Sequence, residues 1–301
     1  MSKTIYGTVI YHCKQFDLFM NDYLESVFNQ TYSDFDLLLV LDDIEVSKVK
    51  KYVDKYNTMD KKVHIQSFTQ QLTPIELRKK LIDIAYEMNA DILIFSDFDE
   101  TVASNRVEEV VGNINDYAFA FNDFYIVDKN LKKLSEKSFF STRKIPQELT
   151  QYTDILSFNF IGLGSLAINL KKFDYDKLEF PKDVQALDWY IASKVLISDC
   201  KGITLYNTYA NYRQHEDSFV GFNFQLDKKK LRQGLNVKLI HYGYLKKYNE
   251  VFENLYNEIL ELKQYIQSAG EEKYIQMVNS KYDTSKFCWW ENIKIKKEVE
   301  L

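Results

Sequence analysis

The stretch Ile92-Leu93-Ile94-Phe95-Ser96-Asp97-Phe98-Asp99-Glu100-Thr101 decides how this chain is read. An apolar run ends in two aspartates separated by one residue. Read as a buried strand, it delivers both carboxylates to its C-terminal end, the edge at which open α/β sheets bind their ligands. Side chains alternate along a strand, so Asp97 and Asp99 share a face if the strand continues through them. Oxygen donors paired in this way suit a hard divalent cation, Mn2+ or Mg2+, holding a diphosphate.

Strand and helix signals alternate on the N-terminal side of this run. Residues 4–11 are apolar and β-rich, and Phe16, Phe19, Met20, Tyr23, Leu24, Val27 and Phe28 recur at helical spacing. Residues 35–41 form a second buried run closed by Asp42-Asp43, a polar helix follows at 45–57, and 63–68 reads as a third strand. Thr73-Pro74 opens a helix that reaches residue 88. This order predicts an α/β fold: a mostly parallel sheet with helices on both faces. Beyond Asp99 the pattern predicts a helix over 106–114, a strand over 117–127, an irregular charged segment over 128–155 and a glycine-bearing strand over 158–170. A helix over 183–197 and a short strand over 203–206 follow, and the chain turns helical from 222, with an apolar stripe through Tyr248, Val251, Phe252, Leu255, Tyr256, Ile259 and Leu260.

Composition narrows the function classes. The 301 residues carry a net charge of -5 with no long basic block, which argues against a nucleic-acid binder. The three cysteines, at 13, 200 and 288, have neither metal-ligand nor disulfide-framework spacing, so a reducing cytoplasm is expected. The start has no signal-peptide pattern. No apolar run approaches the ~20 residues that span a bilayer.

The Asp-x-Asp run has two enzymatic readings. In a nucleotide-sugar transferase the acids hold the metal that neutralises a leaving diphosphate. In a haloacid-dehalogenase-type phosphatase Asp97 would be the nucleophile and Asp99 the general acid. Element order opposes the phosphatase, whose motif normally ends the first core strand, because three strands precede Asp97 here. A non-catalytic nucleotide-sugar-binding module would lack the metal or base residues. The blandest reading makes both acids caps of the next helix.

Other candidates gain weight only in combination. Asp43, at the end of the second strand, could accept from a uracil-like base or a ribose hydroxyl; alone it reads as a turn acid. Arg78 could grip phosphate or base from the helix before Asp97, or belong to a solvated Lys/Arg face. Gly162-Leu163-Gly164-Ser165 matches a dinucleotide fingerprint only on paper, since no convincing helix follows, and is better read as a turn that lets a sugar approach the backbone. Asp188, beside Trp189 and Tyr190, is a candidate general base, with a solvated helix acid as the alternative. His215, in the polar run 211–221, could complete a metal shell or contact phosphate, though a lone loop histidine is more often at the surface.

Together these residues resemble a family 2 glycosyltransferase of the GT-A fold, a Rossmann-like nucleotide-diphospho-sugar transferase, over roughly residues 4–221. The strongest piece is Leu24-Glu25-Ser26-Val27-Phe28-Asn29-Gln30-Thr31-Tyr32 with the strand that ends in Asp42-Asp43. The resemblance implies base-binding Asp43, a nucleotide-gripping Arg78, Asp97 and Asp99 as the metal motif, and Asp188 as the catalytic base. Tyr212-Arg213-Gln214-His215 is similar to a motif common in bacterial members. Three places depart from the family pattern: Tyr11-His12-Cys13-Lys14 stands where a Pro and an Asn are usual, Arg78-Lys79 replaces an Arg-Asn pair, and Leu187-Asp188 keeps only the second acid of a Glu-Asp pair. The implied activity is metal-dependent, inverting transfer from a nucleotide-sugar donor, UDP first and dTDP as the rival, to a hydroxyl of a glycan or lipid-linked glycan. The implied cofactor is Mn2+ or Mg2+, and the setting a cytoplasmic one that builds surface glycans.

The expected division is a catalytic domain over 1–221 and a C-terminal helical extension over 222–301. The extension ends in Phe287-Cys288-Trp289-Trp290 followed by Lys294, Lys296 and Lys297. Trp at the interface and Lys at anionic headgroups would give a peripheral contact with the inner face of the membrane. The alternative, slightly favoured by the stripe at 248–260, is that the tryptophans pack against the catalytic part.

Overall fold

In a computed structural model, the structure describes residues 2–57, 61–215, 225–281, 290 and 292–293. The first half is a run of β1 (Thr4–Ile10), α1 (Phe16–Phe28), β2 (Asp36–Leu41), α2 (Val46–Tyr56), β3 (Val63–Ser67), α3 (Pro74–Glu87) and β4 (Ile92–Asp97). It continues through β5 (Thr101–Val102), α4 (Arg106–Asn113), β6 (Phe119–Val127), β7 (Glu148–Leu149), β8 (Leu166–Asn169), α5 (Leu187–Ile197) and β9 (Gly202–Arg213). Three helices close the chain: α6 (Lys228–Leu245), α7 (Glu250–Ala269) and α8 (Glu271–Lys281).

One sheet collects all nine strands in the order β3-β2-β1-β4-β8-β6-β9-β5, with β7 also on β9. The first four strands of that order are parallel, as the alternating pattern predicts. The other half is mixed: β8 runs antiparallel between β4 and β6, while β6 and β9 are parallel. Two antiparallel steps bring β6 back to the direction of β4. Hence β1, β2, β4, β6 and β9 all finish at one edge, at Ile10, Leu41, Asp97, Val127 and Arg213. Each face of the sheet packs a separate apolar cluster. α1, α2 and α4 cover one; α3, α5 and the C-terminal helices cover the other.

Local chemistry explains the ends of the key elements. Thr73 caps α3 in a reciprocal capping box with Glu76, and Pro74 takes the first turn. The Gln30-Thr31 turn is a staple to the segment after β5. Gln30 donates to the Ala103 carbonyl and accepts from the Val107 N–H, and the Thr31 N–H reaches the Ser104 carbonyl.

Several boundaries differ from the sequence pattern. The strand over 158–170 is real only at β8; residues 158–165 form a loop with a single 3-10 turn. α5 starts at Leu187 rather than residue 183, and β9 runs to Arg213 rather than stopping at 206. β9 carries a bulge there, which breaks the alternation that marks a strand in sequence.

α6 packs on α5. Trp189 stacks flat on His241 at 3.7 Å, and the Tyr242 hydroxyl donates to the Leu156 carbonyl. Trp290 and Ile293 are buried against Gly234, where an added Cβ would sit 2.1 Å from Ile293 Cδ1. Lys238 Nζ, itself buried, donates to the Ile293 carbonyl at 2.8 Å. Trp290 is therefore a packed residue. Trp289, Lys294, Lys296, Lys297 and the stretch 216–221 lie outside the described residues. Among the described residues no helix is long and apolar enough to cross a membrane.

Candidate active site

β4 ends at Asp97, so the strand does not continue through Asp99. A turn follows, closed by the Glu100 N–H on the Asp97 carbonyl at 3.1 Å. The expectation that alternation puts both acids on one face is thus corrected: the turn gathers them. Phe98 pins that turn. Its ring is fully buried, edge-on to Tyr11 at 4.6 Å and against Phe16 and Phe19.

Each acid of the motif has a distinct partner. Asp97 Oδ1 accepts from Arg78 Nη2 at 2.5 Å, so the arginine of α3 does reach the sheet edge. Asp99 Oδ2 meets His215 Nε2 at 2.9 Å, and the imidazole is almost completely buried. Glu100 is the third acid. It is buried with its carboxyl between the Asp-x-Asp turn and the glycine loop: a Cβ on Gly164 would fall 2.5 Å from Glu100 Oε2 and 3.2 Å from Asp97 Oδ2. Gly162 takes a positive φ of 76°, a conformation that glycine reaches without strain.

Asp188 lies in the first turn of α5, where its Oδ2 accepts from Asn159 Nδ2 at 3.0 Å. Burial raises its carboxyl above the usual range, opposed by the Asn159 amide and by the backbone N–H groups of Trp189 and Gly162. Asp97 is raised by burial too; Arg78 opposes that, and the negative charges of Asp99 and Asp188 add to it. Glu100 is pushed well above its ordinary value by burial, then by Asp97 and Asp99, against Arg106 and Arg213. The Tyr212 phenol, raised first by burial, also senses Glu100, Asp99, Asp97 and Asp188. The four carboxylates thus lie close enough to shift one another, around the Gly162–Gly164 loop against which Glu100 and Asp97 pack.

Asp43 sits just past the end of β2, two strands from β4 along the same edge, exposed and at a positive φ of 53°. Its carbonyl is 3.0 Å from His12 Nε2. Burial raises Asp42, with Asp43 adding to the rise and with His12 and Arg78 lowering it. Arg78, bonded to Asp97, is thus near enough to the end of β2 for its charge to be felt at Asp42.

Sequence reasoning missed Glu100, Tyr11 and Arg106. Glu100 directly follows Asp99 at the end of the apolar run 92–95, and that position is itself a signal. Arg106 gave none, because an arginine in a first helical turn reads as solvated. It is instead fully buried beneath the site, where it donates to Asn122 Oδ1, the Tyr6 hydroxyl and the Phe95 carbonyl at 2.8–3.0 Å.

The donor types suit a divalent cation: Asp99 and His215 are already paired, and buried carboxylates in a cluster favour a compensating charge. Among the described residues no three such groups are already gathered as a ligand set. Asp97 has one oxygen committed to Arg78, so diphosphate oxygens would have to share the shell.

The family model for glycosyl transferase family 2 matches residues 11–171. An uncharacterized glycosyltransferase of Methanocaldococcus jannaschii is 26% identical over 139 residues, 45% of this chain and 47% of that protein. The chain thus spans about half the length of that curated relative. Staphylococcus aureus TarS 1-349, solved with UDP-GlcNAc, superposes with a TM-score of 0.56 at 13% identity over 88% of this chain and 73% of that one. A mannosyltransferase of Pyrobaculum calidifontis, solved with GDP-Man and Mn2+, gives a TM-score of 0.57 at 13% identity over 88% of this chain and 70% of that one. At such identities the likeness shows the fold, which is of the GT-A type.

Proposed function

Because the chain belongs to glycosyl transferase family 2, we propose that it performs metal-dependent, inverting transfer of a sugar from a nucleoside-diphosphate donor to a glycan or lipid-linked hydroxyl. The observation that carries this reading is the gathering of three acids beside the sheet edge: Asp97 against the Gly164 loop, Asp99 on His215, and Asp188 held by Asn159 and near enough to Asp97 to raise its carboxyl. Asp43 and Arg78 would hold the nucleotide, Arg78 with its guanidinium against the phosphates. UDP is the first choice of nucleotide. Asp99 and His215, with Asp97, would hold Mn2+ or Mg2+, which when bound supplies charge neutralisation at the leaving diphosphate.

Asp188 would take the proton from the acceptor hydroxyl as its oxygen attacks the anomeric carbon. The bond to the diphosphate then breaks on the opposite face, which inverts the configuration. Burial suits Asp188 to this task, since a carboxyl raised towards the working pH is a stronger base. The hydrogen bond from Asn159 would hold the oxygen that stays idle. The small loop at Gly162–Gly164 would admit the sugar against the backbone.

In the same reading residues 1–221 carry the transfer and 222–301 brace it through α6 against α5. A cytoplasmic setting beside a membrane-borne acceptor rests on the family alone. The test is a panel of nucleotide sugars turned over with and without Mn2+. Release of UDP that depends on the metal supports the reading. Metal-dependent phosphate release from simple monoesters would favour the phosphatase alternative.

A further inference from the structure

We propose that the acceptor is an anionic glycan, bound on the face that residues 125–144 and 206–209 build beside the transfer site. The inference deepens the proposed function and rests on reading the Asp97–Asp188 site as the transfer centre.

The face begins at the same sheet edge. Val127 ends β6 opposite Arg213, two residues before His215. The chain then turns back on itself: Val127 bridges Lys133, the Asp128 N–H donates to the Lys132 carbonyl, and the Leu134 N–H donates to the Ile126 carbonyl. Arg213 Nη1 donates to the Lys129 carbonyl at 3.0 Å and ties this turn to the strand that leads to His215.

Its charge is the reverse of the molecule's. The chain is at -5 overall, yet residues 128–144 hold Lys129, Lys132, Lys133, Lys137, Arg143 and Lys144 against only Asp128 and Glu136. Asp128 Oδ1 is occupied by the backbone N–H groups of Asn130 and Lys132. Lys129, Lys132, Lys137 and Lys144 are exposed, and none of them forms an ion pair among the described residues. Lysines elsewhere do find acids, such as Lys171 with Asp91 and Lys177 with Asp174.

Aromatic rings share the face. The bulge in the β6–β9 ladder passes the register from Leu205 to Tyr209, so residues 206–208 are extra. Tyr206, in the bulge, is 47% exposed, and Tyr209, where pairing resumes, is 39% exposed. Tyr209 meets Tyr125 edge-on at 5.2 Å, and Lys133 Nζ lies 3.5 Å above the Tyr125 ring. Exposed tyrosine rings offer flat apolar surface to the C–H faces of sugars, and the Tyr206 ring is held in place by its hydroxyl donating to the Ile145 carbonyl. Unpaired lysines around them offer point charges to carboxylates or phosphodiesters. A neutral glycan would leave those charges unused, whereas a lipid surface would have no need of platforms at the mouth of a transfer site.

The test measures binding by the full chain directly, without turnover. The probes are oligogalacturonate, its fully methyl-esterified form, phosphomannan oligomers of similar length, and phosphatidylglycerol vesicles. Charged oligomers should bind in a salt-sensitive way, and the esterified form about tenfold more weakly, the scale of several exposed charge contacts. The tighter of the two charged oligomers identifies the anion. Lys129→Glu, Lys132→Glu, Lys137→Glu and Lys144→Glu combined should weaken charged oligomers by about tenfold or more, while Lys50→Glu with Lys51→Glu on α2 should not. Tyr209→Ala should weaken charged and esterified forms alike. Equal binding of charged and esterified oligomers, unchanged binding by the folded quadruple variant, or binding to vesicles alone would overturn the proposal. Oligomer binding reports on the basic face by itself, whereas turnover reports on the transfer centre: full turnover by Asp188→Asn alone would only move the base, and full turnover by both Asp99→Asn and Asp188→Asn would remove the transfer centre and with it the acceptor role of a face that still binds anions.

Discussion

His215 Nε2 and Asp99 Oδ2 lie 2.9 Å apart although 116 residues separate them in the chain. One sits in the turn after β4 and the other just past β9, so the contact closes the site across the mixed half of the sheet. Asp99→Asn should abolish transfer and weaken Mn2+-dependent nucleotide binding, with circular dichroism unchanged. His215→Ala should weaken the same binding by about tenfold, the scale of losing one ligand or its close support. Titration of nucleotide with and without Mn2+ measures both; full activity of Asp99→Asn in chelator-treated buffer would remove the metal role.

Asp188→Asn should lower turnover by about 10²-fold or more, the usual scale for a general base, with donor affinity nearly unchanged. Because burial raises this carboxyl, the acid limb of the turnover–pH profile should lie above the ordinary carboxylate range. Activity should rise with pH through that limb, since only the ionised form accepts a proton. Near-normal turnover would move the base to Asp123, whose carboxyl burial also raises.

Glu100 has a stability signature of the opposite kind. Its folded carboxyl titrates well above the unfolded one, so the native state binds the extra proton and stability falls as pH rises between the two values. Glu100→Gln should therefore raise the Tm of the metal-free protein at neutral pH, and the gain should shrink as pH falls towards the ordinary Glu range. Thermal melts of both proteins from pH 4.5 to 8 check this. A gain that is the same at every pH would show that the charge is not its source.

Gly164→Ala tests the close approach of the loop. Its Cβ would sit 2.5 Å from Glu100 Oε2, so the loop or the carboxyl must move. The expected cost is about 1–3 kcal/mol of stability, typical of overpacking, with a larger loss in transfer. Urea melts and donor titration measure the two effects separately.

Much of the first half was legible because parallel strands buried on both faces read as continuous apolar runs, as at 37–41 and 92–95. Asp97 and Asp99 could be found because acids that end such a run are conspicuous. The rest depends on contacts between distant segments. Nothing near Arg106 in sequence reveals that its partners are Tyr6, Phe95 and Asn122. β9 reads as ending at residue 206 because the extra residues 206–208 break the alternation that would mark one continuous strand to Arg213. The tail was ambiguous for a different reason. Trp favours both interfaces and cores, and only Gly234 on α6, with no side chain of its own, makes room for Trp290 and Ile293.

Arg106 also bears on how the molecule assembles. Its guanidinium cannot shed its charge, and its three partners belong to β1, β4 and β6. A form in which the parallel strands had closed while β6 stayed undocked would strand this cation beside an apolar surface with part of its hydrogen bonding missing. Such a half-built sheet is penalised from within. The parallel half of the sheet and its mixed half should then melt as one cooperative unit, so a chain with only one side of the Asp97–Asp188 site formed is not appreciably populated.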